Sequence, residues 1–419
     1  MRSLNEWLYD LENRSQQDIQ LGLTRIRTVA ERLDLLPVCV PVITVGGTNG
    51  KGSTVATLES IYFEAGYRVG VYTSPHLVYF NERIRLNKQN ISDEDLCQAF
   101  ALIDKARETI HLTYFEMATL AALWHFKSMQ SEVLILEVGM GGRLDATNIV
   151  DANLAIITTI DYDHEAYLGH TLEAIGFEKA GILRPNQTLI YSDIKMPNSI
   201  AQQADDLKVT SWCFDKHFSY ELIEDQFIVS CPTGEVLVLP KPNIHLNAAT
   251  SAVVAAVSCL NVALPVERIA LERSMQTVFL SGRIEVFYDT ICTVLDVSHN
   301  PQSVGLLADR LKLLVKEKAI KKVHAVFSGL KDKDLSGLIK PMEPLVDEWY
   351  TAVLDNKRAA TDSMIKFVFE DVAGVAPHFY GSIEEAYHAA MLRAKPGDAV
   401  VVYGSFFVVS PIILERGVL

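Results

Sequence analysis

An α/β fold in two parts is predicted for this chain: an N-terminal domain built on a mostly parallel sheet, and a smaller C-terminal α/β domain of Rossmann-like organisation. Three observations carry the prediction. Continuous apolar runs of strand length alternate with helical patterns, which is how a sheet covered on both faces reads. Polar residues (Thr48, Ser74, Glu137 and His164) fall just past the ends of those runs, where such sheets place their ligands. The pattern then resets near Ser281-Gly282-Arg283, and 419 residues exceed one ordinary core. The domains are therefore placed at 1–281 and 285–419.

Taken in order, residues 4–35 read as helical, with Leu4, Leu8, Leu11, Ile26, Val29 and Leu33 at helical spacing. The first strand is Val40–Val45, and a helix runs from Val55 to Ala65. Arg68–Tyr72 is a short strand ending in Thr73-Ser74-Pro75-His76. Helices are expected over 93–110 and 115–128, then strands over Glu132–Val138 and Asn153–Ile160. The stretch 188–240, including Glu235–Leu239, reads as a strand-rich peripheral insertion, and Ala248–Leu260 as a buried helix. In the second domain, strands are expected at Thr293–Val297, Val323–Phe327, Glu348–Val353 and Ala399–Tyr403, with helices between. No internal repeat or low-complexity tract interrupts the pattern.

Composition narrows the function. The chain is 49% hydrophobic and 21% charged, as soluble globular proteins are. A net charge of −14 argues against a general nucleic-acid binder, yet leaves room for anionic small molecules held by lysines and arginines gathered in a cleft. Cys39, Cys97, Cys213, Cys231, Cys259 and Cys292 form no C-x-x-C pair and read as free thiols in a reducing compartment. Neither an apolar signal segment nor a membrane-length run is seen, so a cytoplasmic protein without membrane partners is expected.

The segment Val42-Ile43-Thr44-Val45-Gly46-Gly47-Thr48-Asn49-Gly50-Lys51-Gly52-Ser53-Thr54 is the most informative. An apolar strand enters a glycine-rich turn, then a lysine, two hydroxyls and a helix. Glycines let backbone N–H groups face phosphate oxygens, and the helix start adds its positive dipole end. Lys51 can reach the outer phosphates, and Ser53 or Thr54 can hold Mg²⁺. The spacing departs from GxxxxGK[ST], because Val45 replaces the first glycine and Gly52 follows the lysine. A nucleoside triphosphate is the implied ligand, and the first domain is read as a P-loop ATPase.

Other polar groups fall at strand ends. Glu137, which opens the run through Gly139, Gly141 and Gly142 to Asn148, stands where a Mg²⁺ ligand is expected, although a strand cap and tight turn fit too. His164 follows the next strand, with metal ligation favoured over a structural role. Lys179, in Glu178-Lys179-Ala180-Gly181-Ile182, has no local signal of a special role. Asp296-Val297-Ser298-His299-Asn300-Pro301 places polar groups at a strand end in the second domain, and equally fits a capped helix start.

Together these motifs resemble the Mur ligase superfamily, and within it the folylpolyglutamate synthase/dihydrofolate synthase group, over nearly the whole chain. Gly47 to Ser53 is similar to that family's shortened phosphate loop. The run from Thr73-Ser74-Pro75-His76-Leu77 through Asn81-Glu82-Arg83-Ile84-Arg85 resembles its Ω loop. Leu112 to Glu116, Glu137 to Asn148, Glu178 to Ile182 and Asp296 to Pro301 follow in the family's order.

The resemblance implies ATP bound by Thr48, Asn49, Gly50, Lys51, Gly52 and Ser53, with further contacts from Asn247, Arg283, Asp296 and the adjacent His299. It implies two Mg²⁺ sites, the first around Ser53, Ser74 and Glu137, the second around Glu137 and His164. Lys179 resembles the family's carbamylated lysine, and Lys51, Glu137, His164 and Lys179 form the implied catalytic set. Thr113, Tyr114, Phe115, Glu116, Asp145 and Ala146 match positions lining the pteroate site. Two departures stand out: Gln20, in Ile19-Gln20-Leu21, replaces an aspartate of some bifunctional members, and Ile244-His245-Leu246-Asn247 lacks the usual His-Gln pair.

The implied reaction is ATP-dependent ligation of L-glutamate to dihydropteroate and to folates through an acyl phosphate, by a monomer, with the C-terminal domain bringing glutamate and closing over the nucleotide. A monofunctional folylpolyglutamate synthase is the nearest alternative. A cell-wall Mur ligase is a further one, although the phosphate loop begins by residue 46 and leaves no evident uridine-binding domain before it. A non-catalytic ATP-binding module is the alternative of another class.

Overall fold

The computed structural model describes residues 2–14, 22–244 and 246–417. Gln20 and His245 lie outside the described residues. The chain divides into two compact units, Met1–Phe279 and Leu280–Leu419.

The first unit is built on eight strands: β1 (Val42–Gly46), β2 (Val69–Tyr72), β3 (Ile84–Leu86), β4 (Gln89–Asn90), β5 (Val133–Glu137), β6 (Leu154–Ile157), β7 (Thr188–Tyr191) and β8 (Thr210–Cys213). Their order across the sheet is β4-β3-β2-β5-β1-β6-β7-β8. All neighbours run parallel except β2–β3 and β3–β4, which are antiparallel. The parallel strands β1, β2, β5 and β6 are buried along their whole length, which explains why each reads as an unbroken apolar run. The chain visits one side of β1 through β5, then crosses to β6 on the other. That reversal opens a crevice at the carboxyl ends of β5, β1 and β6.

Helices start where hydroxyl side chains can take the first free N–H groups. Ser92 caps Asp93–Arg107, Thr171 caps Leu172–Ala180, and Thr113 forms a reciprocal capping box with Glu116 at the head of Tyr114–Ser128. The N-terminal helical stretch is two described helices, Leu4–Asn13 and Thr24–Arg32. The second stops short of the expected end at 35, because Asp34 takes a left-handed conformation (φ 55°).

One expectation is corrected. The stretch 188–240 is not wholly a peripheral insertion, because β7 and β8 extend the main parallel sheet. Only β9 (Ser219–Ile223), β10 (Gln226–Ser230) and β11 (Val236–Pro240) form a separate antiparallel sheet. Their alternating buried and exposed residues look unlike the continuous runs before them, and that contrast obscured where one sheet ends. The strand expected over Asn153–Ile160 is also shorter, since Thr158 onward turns away to serve the β1 loop.

The second unit holds β12 (Glu285–Tyr288), β13 (Cys292–Asp296), β14 (Val323–Phe327), β15 (Glu348–Ala352), β16 (His378–Tyr380) and β17 (Ala399–Tyr403), in the order β12-β13-β17-β14-β15-β16. Only β12 is antiparallel to its neighbour. The short edge strands β12 and β16 have no long apolar run and were not expected from the sequence.

Candidate active site

The loop after β1 is shaped by two glycines in conformations other residues rarely adopt. Gly47 has φ 137° and Gly50 has φ 87°. Gly50 is the N-cap of the helix Lys51–Glu64, so Lys51, Gly52 and Ser53 present the first N–H groups of a fourteen-residue helix. The β6 exit clamps the loop from one side. Thr48 N–H donates to the Thr159 carbonyl at 2.7 Å, and Asn49 N–H to Thr159 Oγ1 at 3.1 Å. Thr48 Oγ1 in turn accepts from Asp161 N–H at 3.0 Å. Thr158 and Thr159 were missed in the sequence; two hydroxyls directly after an apolar strand were the available signal.

On the other side stands Glu137, the last residue of β5, which is 4% exposed. Its Oε2 accepts Ser74 N–H at 3.1 Å, tying the end of β2 to the end of β5. Ser53 is buried in the first turn of the loop helix. Next to Ser74, Arg85 donates to both oxygens of buried Glu59 (2.7 Å at the shortest) and to the Thr73 hydroxyl at 3.2 Å. This ion pair anchors the segment after β2 to the loop helix.

Two amines converge on one carbonyl. Lys51 Nζ donates to the carbonyls of Gly47 and Thr48, both at 3.0 Å. Lys179 Nζ, from the buried face of Leu172–Ala180, donates to the same Gly47 oxygen at 2.8 Å. Burial and then the neighbouring Lys51 ammonium bring the Lys179 pKa down to about 7, against the opposing pull of Asp163 and Asp145. The environment therefore favours a neutral amine at this lysine. His164 caps the short helix Glu165–Leu168 in a left-handed conformation, with Nε2 3.9 Å from Asp163 Oδ2 and about a third of its side chain exposed.

Phe115 and Asp145 both meet the glycine-rich turn that follows Glu137. Asp145 is buried, which raises its pKa, and its oxygens accept Met140 N–H (2.9 Å), Thr147 N–H (3.0 Å) and the Thr147 hydroxyl (2.7 Å). It thereby fixes the glycine-rich turn and caps the short turn beginning at Ala146. The Phe115 ring lies over Gly139, where a Cβ would come within 2.5 Å of it, and 5.7 Å from the Tyr72 ring. Half-buried Tyr114 begins the same helix. Glu116 is occupied structurally: Oε2 accepts Thr113 N–H at 2.8 Å and Oε1 accepts Arg25 at 3.2 Å.

Within the second unit, buried Asp296 ends β13 and accepts Ile284 N–H and Ser298 N–H, each at 2.8 Å. Arg283 stacks its guanidinium 5.5 Å from the Phe406 ring centre, and the His299 ring lies 6.1 Å from the same ring. Asn300 caps the helix Pro301–Lys318, so the helix-start reading of this motif is correct whatever else it does. In the first unit, Asn247 opens the helix Asn247–Leu260.

Comparison with known proteins comes to the same place. The family models that match are the Mur ligase middle domain over residues 45–263 and the Mur ligase glutamate ligase domain over residues 282–406. The chain is 40% identical over 411 residues to the dihydrofolate synthase/folylpolyglutamate synthase of Escherichia coli strain K12, across 98% of this chain and 94% of that protein. It is 40% identical over 425 residues to the enzyme of the same name from Haemophilus influenzae, across 97% and 96%. Among solved structures, E. coli FolC in complex with DHPP and ADP superimposes with a TM-score of 0.93 at 39% identity, covering 99% of this chain and 98% of that one. A bifunctional folylpolyglutamate synthase/dihydrofolate synthase with Mn, AMPPNP and L-glutamate bound gives 0.91 at 38% identity, with the same coverage.

Proposed function

This chain belongs to the Mur ligase family, among its dihydrofolate synthase/folylpolyglutamate synthases, and we propose that it ligates L-glutamate to dihydropteroate, giving dihydrofolate, and to folates, lengthening the γ-linked tail, with cleavage of ATP. The observation that carries this reading is the glycine loop with Lys51 and Lys179 on the single Gly47 carbonyl, set between the ends of β5 and β6.

In the first half-reaction the substrate carboxylate attacks the γ-phosphorus of ATP, ADP leaves, and an acyl phosphate forms. In the second, the amine of L-glutamate adds to the acyl carbon, and the tetrahedral intermediate collapses with loss of phosphate. The protein's task is to gather groups that repel one another and to stabilise charge as it develops. Gly50, Lys51, Gly52 and Ser53 cradle the phosphates through backbone N–H groups and the Lys51 ammonium, and Thr48 and Asn49, whose own N–H groups are held by Thr159, are assigned to the same nucleotide site as the residues that shape the loop. Asn247, Arg283, Asp296 and His299 are assigned to ATP in the same reading. Met1–Phe279 is taken as the ATP-, metal- and pteroate-binding part, and Leu280–Leu419 as the glutamate-ligase part.

The donor set suits Mg²⁺. Ser53, Ser74 and Glu137 offer hard oxygens, and no group of three His, Cys, Asp or Glu is gathered for a metal among the described residues. An ion there would complete its shell with phosphate oxygens and water, as Mg²⁺ prefers. Glu137 and His164 are assigned to a second ion. Bound Mg²⁺ would supply charge neutralisation at the transferring phosphoryl group. Lys179 is proposed to be carbamylated, since a depressed pKa supplies the neutral amine that reaction needs. Thr113, Tyr114, Phe115, Glu116, Asp145 and Ala146 are proposed to line the pteroate site, with Phe115 offering a ring face and Glu116 and Asp145 holding the backbone around it. No helix among the described residues is long and apolar enough to cross a membrane. The reading adds a monomer in the cytoplasm, acting on small molecules and on neither nucleic acid nor membrane.

The test is phosphate release with purified protein, ATP, Mg²⁺ and L-glutamate, with product mass read after adding 7,8-dihydropteroate or tetrahydrofolate. Gain of one glutamyl unit on both is expected, and Lys51→Ala should abolish it. Gain on tetrahydrofolate alone would leave a monofunctional polyglutamate synthase. Full ligation by Lys51→Ala would overturn the mechanism.

A further inference from the structure

Arg83 is 8% exposed, and the described residues offer it no carboxylate. Among the described residues its one hydrogen-bonding side-chain partner is His76: Nε donates to Nδ1 at 2.8 Å, an acceptor and not an anion. The guanidinium lies 5.4 Å from the ring centres of both Phe80 and Tyr114. Arg85, two residues on, shows the contrast, since its guanidinium is matched by the buried carboxylate of Glu59.

A guanidinium cannot lose its proton to escape such a place, and removing an unmatched charge from water is costly. Aromatic faces offset part of that cost. They leave the terminal N–H groups of a planar fork suited to two oxygens of one anion. Its backbone position fixes where that fork is offered. The Arg83 carbonyl accepts Thr73 N–H at 2.9 Å, and the next residue, Ser74, donates to Glu137. Tyr114, over which the guanidinium packs, adjoins Phe115 and its contact with Gly139.

We infer that Arg83, held by His76 and sandwiched with Phe80 and Tyr114, receives a carboxylate of the pteroyl substrate. The inference rests on the proposed function above and adds to it a residue that binds the substrate's acidic end, where the reaction begins. The carboxylate of dihydropteroate and those of a folate's glutamyl tail share the chemistry, and the test separates them.

The experiment measures binding to wild type and Arg83→Met by fluorescence, with ATP and Mg²⁺ present and L-glutamate omitted. The probes are 7,8-dihydropteroate, its carboxamide and tetrahydrofolate. Arg83→Met is expected to weaken dihydropteroate by about ten- to a hundredfold, the scale of a charged hydrogen bond, and to leave the carboxamide within about threefold. Arg83→Lys, which keeps the charge and loses the fork, should fall between. Loss confined to tetrahydrofolate would assign Arg83 to the glutamyl tail and still support the inference. Thermal unfolding gives a readout that a structural role would reverse: Arg83→Met should melt at or above the wild-type temperature, because an unmatched charge has been removed. Equal losses for acid and carboxamide, unchanged binding of all three probes, or a markedly lower melting temperature would overturn it. If wild type binds none of the probes, the proposed function itself fails and this inference with it; if wild type binds and the variant matches it, only the inference falls.

Discussion

A single methyl group at Gly47 should disable the phosphate loop. The residue sits at φ 137°, and a Cβ added there would lie 1.8 Å from Thr158 Oγ1, 2.9 Å from the Thr158 amide nitrogen and 3.0 Å from its Cβ. Two costs add. Holding a non-glycine residue in that backbone region costs about 1–3 kcal/mol, and forcing an atom into filled space costs about 1–3 kcal/mol more. The Thr158 backbone has no slack to give, because its N–H is tied to the Gly46 carbonyl at 2.9 Å. Gly47→Ala is therefore expected to lose about 2–6 kcal/mol of stability, or to escape by shifting the loop. A shift of about 1 Å would misplace Lys51 and lower kcat/KM for ATP roughly a hundredfold. Urea denaturation and ATP kinetics measure the two routes. Adding Thr158→Ala removes the hydroxyl that clashes but neither the amide contact nor the backbone strain. The double variant should thus recover only part of the loss, judged against Thr158→Ala alone in a mutant cycle. A Gly47→Ala protein within about 0.5 kcal/mol of wild type with unchanged ATP kinetics would refute the reasoning, as would a double variant no better than the single.

Three further outcomes follow from buried polar groups. Lys179 has a folded pKa near 7, below its ordinary 10.5, so between those values the unfolded chain holds a proton that the folded chain has released. Stability at this site therefore rises with pH across that window, and its burden is fully present below pH 7. Lys179→Met should accordingly compare best with wild type at pH 6 and have lost roughly half of that advantage by about pH 9 in urea titrations, with the rest fading toward 10.5; a gap that does not change with pH would contradict the assignment. With ¹³C-bicarbonate, a carbamate resonance is expected in wild type above pH 7 and none in the variant. In the second unit, Asp296→Ala would strand two backbone donors, one of them on Ile284, a β-branched residue at φ 48°. Thermal unfolding should show about 2–4 kcal/mol of lost stability, and an unchanged melting temperature would mean that water satisfies both groups.

The sequence determined the chemistry that is local along the chain. A strand, a glycine turn, a lysine and a helix are consecutive residues, so the phosphate loop from Gly46 to Thr54 was legible, as were the helix expected over 115–128, the capped helix start at Pro301 and the buried parallel strands read from unbroken apolar runs. The order of the motifs along the chain was equally legible, and with it the resemblance to a family. Tertiary structure alone decided what meets across long separations. Lys179 reaches a carbonyl 132 residues away, and nothing around it in sequence distinguishes it from a solvated helix lysine. Its depressed pKa comes from burial and from Lys51, both properties of the packed sheet edge. The same holds for β7 and β8, whose place in the main sheet depends on which neighbour they pair with. It holds also for Arg83 and Arg85, two positions apart where the chain enters β3. Arg85 is matched by Glu59, and Arg83 meets no carboxylate among the described residues, because a side chain's partner is fixed by which helix the fold lays against it. Periodicity reports whether a residue is buried; only the assembled sheet reports what it is buried beside.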